Sequence, residues 1–71
     1  MNWVVINSPV IARVAYDEQE QELTVHYTTG KYYVFYPVPL EKYEGLKAAE
    51  HPGSYLTEEI RNHSRYERVL L

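Results

Sequence analysis

The chain has 71 residues, no cysteine and a formal net charge of −3, so one small domain over residues 1–71 must be held by packing, without disulfides or thiolate metal sites. Ten acidic residues against seven basic ones differ from the basic excess that is usual in dedicated nucleic-acid binders. The longest apolar run, Trp3 to Ile6, is far shorter than a membrane span of roughly 20 residues, and no secretory signal is recognisable, so we expect a cytoplasmic protein without membrane contact.

The first half of the chain predicts an antiparallel β-meander. Residues 2–6 are β-branched and aromatic and form a candidate edge strand, which ends before Pro9. Three further runs alternate or are rich in strand-forming residues: 10–16, 22–28 and 31–36. Between the last two, Thr29-Gly30 predicts a tight turn, because Gly30 can adopt a positive φ without steric cost.

Alternation also predicts which side chains share a face of the sheet. In residues 10–16, Ile11 and Arg13 are expected on one face and Val14 on the other. One sheet face is expected to lie under helices and to carry Val14, Leu23, Val25, Tyr27, Tyr33 and Phe35. The opposite face is expected to carry a mixed aromatic and basic surface of Arg13, His26, Tyr32, Val34 and Tyr36.

The second half predicts two helices. Pro37-Val38-Pro39 ends the sheet, since proline cannot donate to a β-ladder. Apolar residues spaced by three predict a helix over 40–50, which His51-Pro52-Gly53 ends. Ser54 is the expected N-cap of a second helix over about 55–63. The tail from Ser64 onward is expected to be a short strand or an extended segment packed on the domain.

The predicted fold class is therefore α+β. It consists of a small antiparallel β-meander of three strands, with the N-terminal segment as a candidate fourth. Two short α-helices follow the meander and pack on one face of the sheet.

An ordered set of short motifs runs through the chain. They are Ala15-Tyr16-Asp17, a central aromatic pair, Val38-Pro39, Tyr43-Glu44-Gly45-Leu46, Gly53-Ser54-Tyr55-Leu56 and Ile60-Arg61. With this set, the chain from about Ser8 to Val69 resembles the KTSC domain. That module is named for its occurrence at the C-terminus of some lysyl-tRNA synthetases, and it also occurs as a stand-alone bacterial or phage protein.

The resemblance implies RNA binding and supplies no catalytic residues to carry over. Two positions depart from the family pattern. The family's central Tyr-x-Tyr reads Tyr33-Val34-Phe35 here, so the second hydroxyl is absent. Pro37 stands where the family often has glycine, and the stretch after the second helix is less basic than in the family.

The C-terminal segment is the second candidate binding surface, because basic residues cluster there around Tyr66. Such a cluster can contact phosphates, and exposed tyrosines can stack unpaired bases. The alternative is a helix C-terminus with favourably placed cations and ordinary surface ion pairs. The candidate residues for binding RNA or a protein partner are Arg13, Tyr32, Tyr36, Arg61, Arg65, Tyr66 and Arg68.

No motif indicates catalysis, a metal or a cofactor. His26, His51 and His63 lack the spacing of a metal site, and no catalytic triad or glycine-rich phosphate loop is present. We therefore expect a small non-catalytic binding module that binds RNA through the basic segment and the tyrosines. The alternative is a protein that uses the tyrosine-rich sheet face either to bind a protein partner or to assemble into a homo-oligomer.

Overall fold

The computed structural model describes residues 2–70, and their alternating segments fold into one antiparallel sheet. Its strands lie side by side in chain order, each antiparallel to its neighbour. They are β1 (Trp3–Val5), β2 (Ile11–Asp17), β3 (Glu22–Tyr27), β4 (Tyr32–Tyr36) and β5 (Arg65–Val69). The α+β class with an antiparallel sheet is confirmed, but the sheet has five strands rather than three or four.

The additional strand is the C-terminal tail, which returns to pair with β4. Its register places Tyr66 opposite Phe35 and Glu67 opposite Val34. Without β5, β4 would be the sheet edge and would expose a row of unpaired N–H and C=O groups. The strand alternative for the tail is thus the one that the chain adopts.

Two helical segments follow the meander. Helix α1 (Leu40–Ala48) starts directly after Pro39, whose extended backbone precedes the first turn. Helix α2 (Pro52–Tyr55) continues without a break as a π-helical turn (Leu56–Ile60) and a 3₁₀ turn (Arg61–His63). The second helix begins earlier than predicted because Pro52 occupies the first turn, where its missing N–H costs nothing. Ser54 consequently lies inside α2, and the prediction that it is the N-cap was wrong.

The core forms between one sheet face and the helices, as predicted. From the sheet it takes Val14, Leu23, Val25 and Phe35, and from α1 and the segment after α2 it takes Tyr43, Leu46, Leu56 and Ile60. All eight side chains are buried. We call the opposite side of the sheet the open face, because no helix within residues 2–70 packs on it.

The facing of Ile11 differs from the prediction. The β2–β3 register shifts between Ile11 and Arg13, so a bulge places Ile11 in the core with Val14 rather than beside Arg13. One extra residue in a strand reverses the facing of every residue before it. Val10 is exposed and lies in the bend before β2, where the alternation of a strand does not apply.

The two hairpin turns depend on different local chemistry. In the β2–β3 turn, a side-chain oxygen of Asp17 accepts the N–H groups of Gln19 at 3.1 Å and Glu20 at 3.2 Å, and Gln21 has a φ of 54°. In the β3–β4 turn, Gly30 has a φ of 96°, and the expectation that it takes a positive φ is confirmed. The first turn has no glycine, so its sequence gave no such indication.

Candidate functional site

On the open face, the Arg13 cluster consists of Arg13, Trp3, His26 and Tyr32. The guanidinium carbon of Arg13 lies 4.2 Å from the centroid of the Trp3 ring. Its Nε–H donates to Nδ1 of His26 at 3.1 Å, and its terminal nitrogen donates to the Tyr32 hydroxyl at 3.2 Å. The rings of His26 and Tyr32 stack at 4.1 Å with an interplanar angle of 5°. The aromatic and polar groups of this cluster therefore already contact one another.

The rest of the open face contains a second internal contact. The Tyr36 hydroxyl donates to Glu67 at 2.7 Å, which connects β4 to β5. This hydrogen bond raises the pKa of Tyr36 above its ordinary value. Arg65 lies opposite Tyr36 in the β4–β5 register and is exposed. Tyr36 is thus held by a side chain of its own chain.

A cleft opens on the helix-bearing side, between the sheet, the loop before β2 and the segment around α2. Its volume is about 820 Å³, within the range of roughly 300–1,000 Å³ that is usual for ligand sites. We call it the tyrosine cleft, after the side chains that line it toward the sheet: Tyr27, Tyr33 and Tyr66. Phe35 and Leu56, both buried in the core, also reach its lining.

The three tyrosines of the cleft meet at steep angles rather than as a closed stack. Tyr27 and Tyr33 are perpendicular, with centroids 5.8 Å apart. Tyr33 and Tyr66 lie at 6.2 Å and 60°. Tyr66 is 42% exposed. This arrangement leaves an aromatic wall that a flat ligand can contact.

Arg61 supplies a cation to the cleft. It lies on the 3₁₀ turn after α2, with its guanidinium carbon 4.7 Å from the centroid of Tyr66. One terminal nitrogen also donates to the Tyr66 hydroxyl at 3.2 Å. This hydrogen bond raises the pKa of Arg61 further above its ordinary value, so its charge is permanent.

Other polar groups of the cleft have mixed charge. Lys31 lines it on the β3–β4 turn, whereas Glu50 and Glu58 line it on the helical side. Burial raises the pKa of Tyr27 despite the opposing effect of Arg61. The Tyr27 hydroxyl is therefore protonated at neutral pH and available as a hydrogen-bond donor.

The structure separates the seven predicted site residues into two groups. Arg61 and Tyr66 line the cleft, and Arg68 lies opposite Tyr33 in the β4–β5 register, on the same side of the sheet. The other four lie on the open face: Arg13, Tyr32, Tyr36 and Arg65. The predicted RNA site combined the basic segment with the open-face tyrosines. The sheet separates Arg61, Tyr66 and Arg68 from these tyrosines, and Arg65 is the member of the segment that lies on their side.

Sequence reasoning missed Tyr27 and Tyr33 as site residues. Their alternation correctly placed them on the helix-bearing face, which we expected to be fully covered. Both rings are only half-buried and lie near the β3–β4 turn, whereas Leu23 and Phe35, farther from that turn on the same two strands, are buried. The signal that could have identified them is the hydroxyl group at the end of each ring, which a fully apolar core would not require.

Within residues 2–70, no cluster of three or more His, Asp or Glu side chains is arranged to hold a metal ion. No helix in that range has the length and apolar character needed to cross a membrane.

Comparisons with known proteins identify the family to which this chain belongs. The model of the KTSC domain family matches residues 7–66. A protein of Tsukamurella paurometabola is 37% identical over 51 residues, which are 72% of this chain and 76% of that protein. The crystal structure of a KTSC domain protein from Yersinia pestis has a TM-score of 0.91 over 97% of each chain, at 16% identity, and so shows the shared fold. The resemblance expected from the sequence is confirmed, and the chain belongs to the KTSC domain family.

Proposed function

We propose that this KTSC domain is a non-catalytic module that binds single-stranded RNA in the tyrosine cleft. The observation that carries the proposal is the joint presence of three half-open tyrosine rings and the Arg61 guanidinium around one cavity of about 820 Å³. Unpaired bases stack on aromatic rings, and arginine binds phosphate or stacks on bases in its turn.

The cleft is favoured over the open face because its groups are less occupied. On the open face, Tyr32 is stacked on His26 and bonded to Arg13, and Tyr36 is bonded to Glu67. An RNA base would have to displace these contacts to stack there. In the cleft, Tyr66 is in contact with Arg61, but the Tyr33 ring meets its neighbours at 30–90°, so a base can lie against Tyr33 without breaking a face-to-face stack.

The charges around the cleft set the expected strength of binding. Arg61 and Lys31 line it and Arg68 lies beside it, so about three phosphates can be contacted. For single strands the slope of log K against log salt is roughly −0.7 per phosphate, which gives a slope of about −2. Glu50 and Glu58 oppose binding, and we expect weak affinity, in the micromolar range or above.

The test is fluorescence anisotropy with a labelled 12-nucleotide single-stranded RNA between about 25 and 200 mM salt. We expect Tyr66→Ala to weaken binding roughly 5- to 150-fold, because base stacking contributes about 1–3 kcal/mol per base. Arg61→Ala should weaken binding and reduce the salt slope by about 0.7, the value of one phosphate contact. Arg65→Ala is the matched control: it removes the same charge from an exposed position on the opposite face of the sheet.

Two outcomes would contradict the proposal. If Arg65→Ala weakens binding and Arg61→Ala does not, the open face binds the RNA. If the folded domain binds no RNA even at the lowest salt, the domain is not an RNA-binding module, and the protein-interaction alternative becomes the leading one. A duplex of the same sequence should bind more weakly, because its bases are not free to enter the cleft.

A further inference from the structure

Strand β5 forms one edge of the sheet. It pairs with β4 on one side, so on its other side alternate N–H and C=O groups lack a strand partner within residues 2–70. Its pairing with β4 runs without interruption over five residues, and Arg65 to Arg68 are all exposed. The opposite edge, β1, is only three residues long. Of the two edges, β5 offers the longer regular ladder for another strand.

The charges of β5 select one way for the strand to pair with its own copy. Two antiparallel copies related by a two-fold axis must have the axis perpendicular to the sheet, so each residue lies opposite one with the same facing. Centring the axis on Tyr66 places Arg65 of each copy opposite Glu67 of the other. Centring it on Glu67 opposes two carboxylates, and centring it on Arg65 or Arg68 opposes two guanidiniums. Centring it on Val69 opposes no like charges but pairs only the end of β5, so the register centred on Tyr66 is the one that opposes unlike charges.

Both members of the complementary pair are available for this contact. Within residues 2–70, the ion pairs are Lys42–Glu59 and Lys47–Glu44, so neither Arg65 nor Glu67 is in one. The Tyr36 hydroxyl donates to Glu67 at 2.7 Å and holds this carboxylate on the open face, where Arg65 also lies. Opposite charges that face each other across two strands stabilise the pairing, and like charges destabilise it.

We propose that the protein forms a two-fold dimer in which β5 pairs with β5 of a second copy in the register centred on Tyr66. The two sheets then become one ten-stranded sheet, with two Arg65–Glu67 pairs on the open face. On the other face, Tyr66 of each copy lies at the axis, so the two tyrosine clefts become neighbours. Formation of this dimer requires only strand pairing and the contacts between charges, and it does not depend on RNA binding.

The dimer should be weak. A pairing of about five residues a side is much smaller than the roughly 20–30 residues a side of a stable interface. We therefore expect a dissociation constant of tens to hundreds of micromolar, and sedimentation equilibrium over about 5–500 μM is the appropriate measurement. The weight-average mass should rise from 8.4 kDa toward twice that value across this range.

Charge exchange tests the register. Arg65→Glu opposes two pairs of carboxylates and Glu67→Arg opposes two pairs of guanidiniums, so each variant should raise the dissociation constant at least tenfold. The double variant Arg65→Glu with Glu67→Arg restores both pairs and should dimerise like the original chain. An equimolar mixture of the two single variants should form heterodimers, because every opposed pair then joins opposite charges.

Two controls separate this effect from net charge. Lys47→Glu and Glu20→Arg change the net charge by the same amounts on exposed residues outside β5 and should leave dimerisation unchanged. The proposal is overturned if the original chain stays monomeric up to 500 μM while folded, which would leave the edge for a strand of another protein. It is also overturned if the single variants dimerise as well as the double variant, since the register would then be different.

Discussion

The two sides of the sheet carry the same kinds of residue, but on one side these residues contact one another and on the other they surround a cavity. The Arg13 cluster and the tyrosine cleft each combine one arginine with aromatic rings. In the cluster, the guanidinium lies over Trp3 and donates to both His26 and Tyr32, and these two rings are stacked. In the cleft, the tyrosines meet at 60–90° around a cavity, and Arg61 lies over the ring of Tyr66.

The difference shows that residue type alone does not identify a binding surface. On the open face, side chains from four adjacent strands, β1 to β4, stand side by side at strand spacing, close enough to contact one another directly. Near the cleft, the opposing wall is helical and stands above the sheet, so the side chains between the two layers leave space. The first arrangement stabilises the fold, and the second leaves groups available to a ligand.

The largest loss of stability is expected from removing the Phe35 side chain, which lies beneath the tyrosine cleft. Phe35 is 1% exposed and belongs to both the core and the cleft lining. Phe35→Ala should cost about 3–5 kcal/mol of unfolding free energy, which is most of the stability available to a chain of this size. Urea denaturation followed by tyrosine and tryptophan fluorescence measures the loss.

Tyr33→Phe is the matched control for that experiment. It keeps the ring on the same strand and face and removes only a hydroxyl that has no hydrogen-bond partner within residues 2–70. Its unfolding free energy should stay within about 0.5 kcal/mol of the original value. An equal loss in both variants would mean that the cleft wall, rather than the core beneath it, sustains the fold.

The two arginines provide the most direct comparison. Arg13→Ala removes one cation–π contact and two hydrogen bonds of a half-buried side chain. It should cost about 2 kcal/mol. Arg61 is exposed, and Arg61→Ala should cost no more than about 0.5 kcal/mol. Equal losses in urea denaturation would show that Arg61 is a structural residue like Arg13.

A smaller loss of stability is expected from a substitution at the contact between α1 and Tyr55 of α2. A Cβ on Gly45 in α1 would lie 2.6 Å from Cζ of Tyr55, closer than any real contact, so Gly45→Ala must displace this ring. Overpacking costs roughly 1–3 kcal/mol, and alanine regains about 1 kcal/mol of helix propensity, so the net loss should be about 1 kcal/mol.

This explanation can be tested by introducing Gly45→Ala into the Tyr55→Ala variant. With the ring removed, Gly45→Ala should stabilise the chain by up to about 1 kcal/mol, because only the propensity difference remains. A loss of the same size in both backgrounds would show that the Tyr55 ring is not the obstacle. Thermal unfolding by circular dichroism is sufficient, since only the sign of the change is needed.

Much of this fold could be predicted from the residues themselves. The alternation around Leu23, Val25 and Phe35 fixed the core face, and Gly30 located the hairpin turn. The facing of Ile11 was mispredicted because a bulge depends on the register with β3, which no local pattern in residues 10–16 records. The pairing of the tail with β4 is likewise a long-range contact, and the residues of the tail fitted a strand and an extended segment equally well.

The candidate site was harder to predict for a related reason. Sequence reasoning identified the basic segment and the tyrosines but could not tell that the sheet separates Arg61 and Tyr66 from Tyr32 and Tyr36. This separation depends on β5 entering the sheet next to β4, which assigns successive residues of the tail to alternate faces. Once that pairing is known, facing follows from the period of two.

The last prediction uses pH to compare Tyr27 of the cleft with Tyr36 of the open face. The pKa of both is raised above the ordinary value of 10.0, by burial for Tyr27 and by the hydrogen bond to Glu67 for Tyr36. A raised pKa in the folded state means that the folded chain binds the proton more tightly than the unfolded chain. The associated stability is fully present below about pH 10 and is lost as pH rises through the folded value.

The melting temperature should therefore fall above pH 10, and Tyr27→Phe and Tyr36→Phe should each make the fall less steep. The two causes predict different responses to a further variant. Glu67→Gln removes the charge that accepts from Tyr36, so it should reduce the effect of Tyr36→Phe and leave that of Tyr27→Phe unchanged. If Glu67→Gln changes neither effect, the Tyr36–Glu67 hydrogen bond does not govern ionisation on the open face. If Tyr27→Phe leaves the alkaline fall unchanged, solvent already reaches the Tyr27 hydroxyl, and the cleft is open deeper than the half-buried ring suggests.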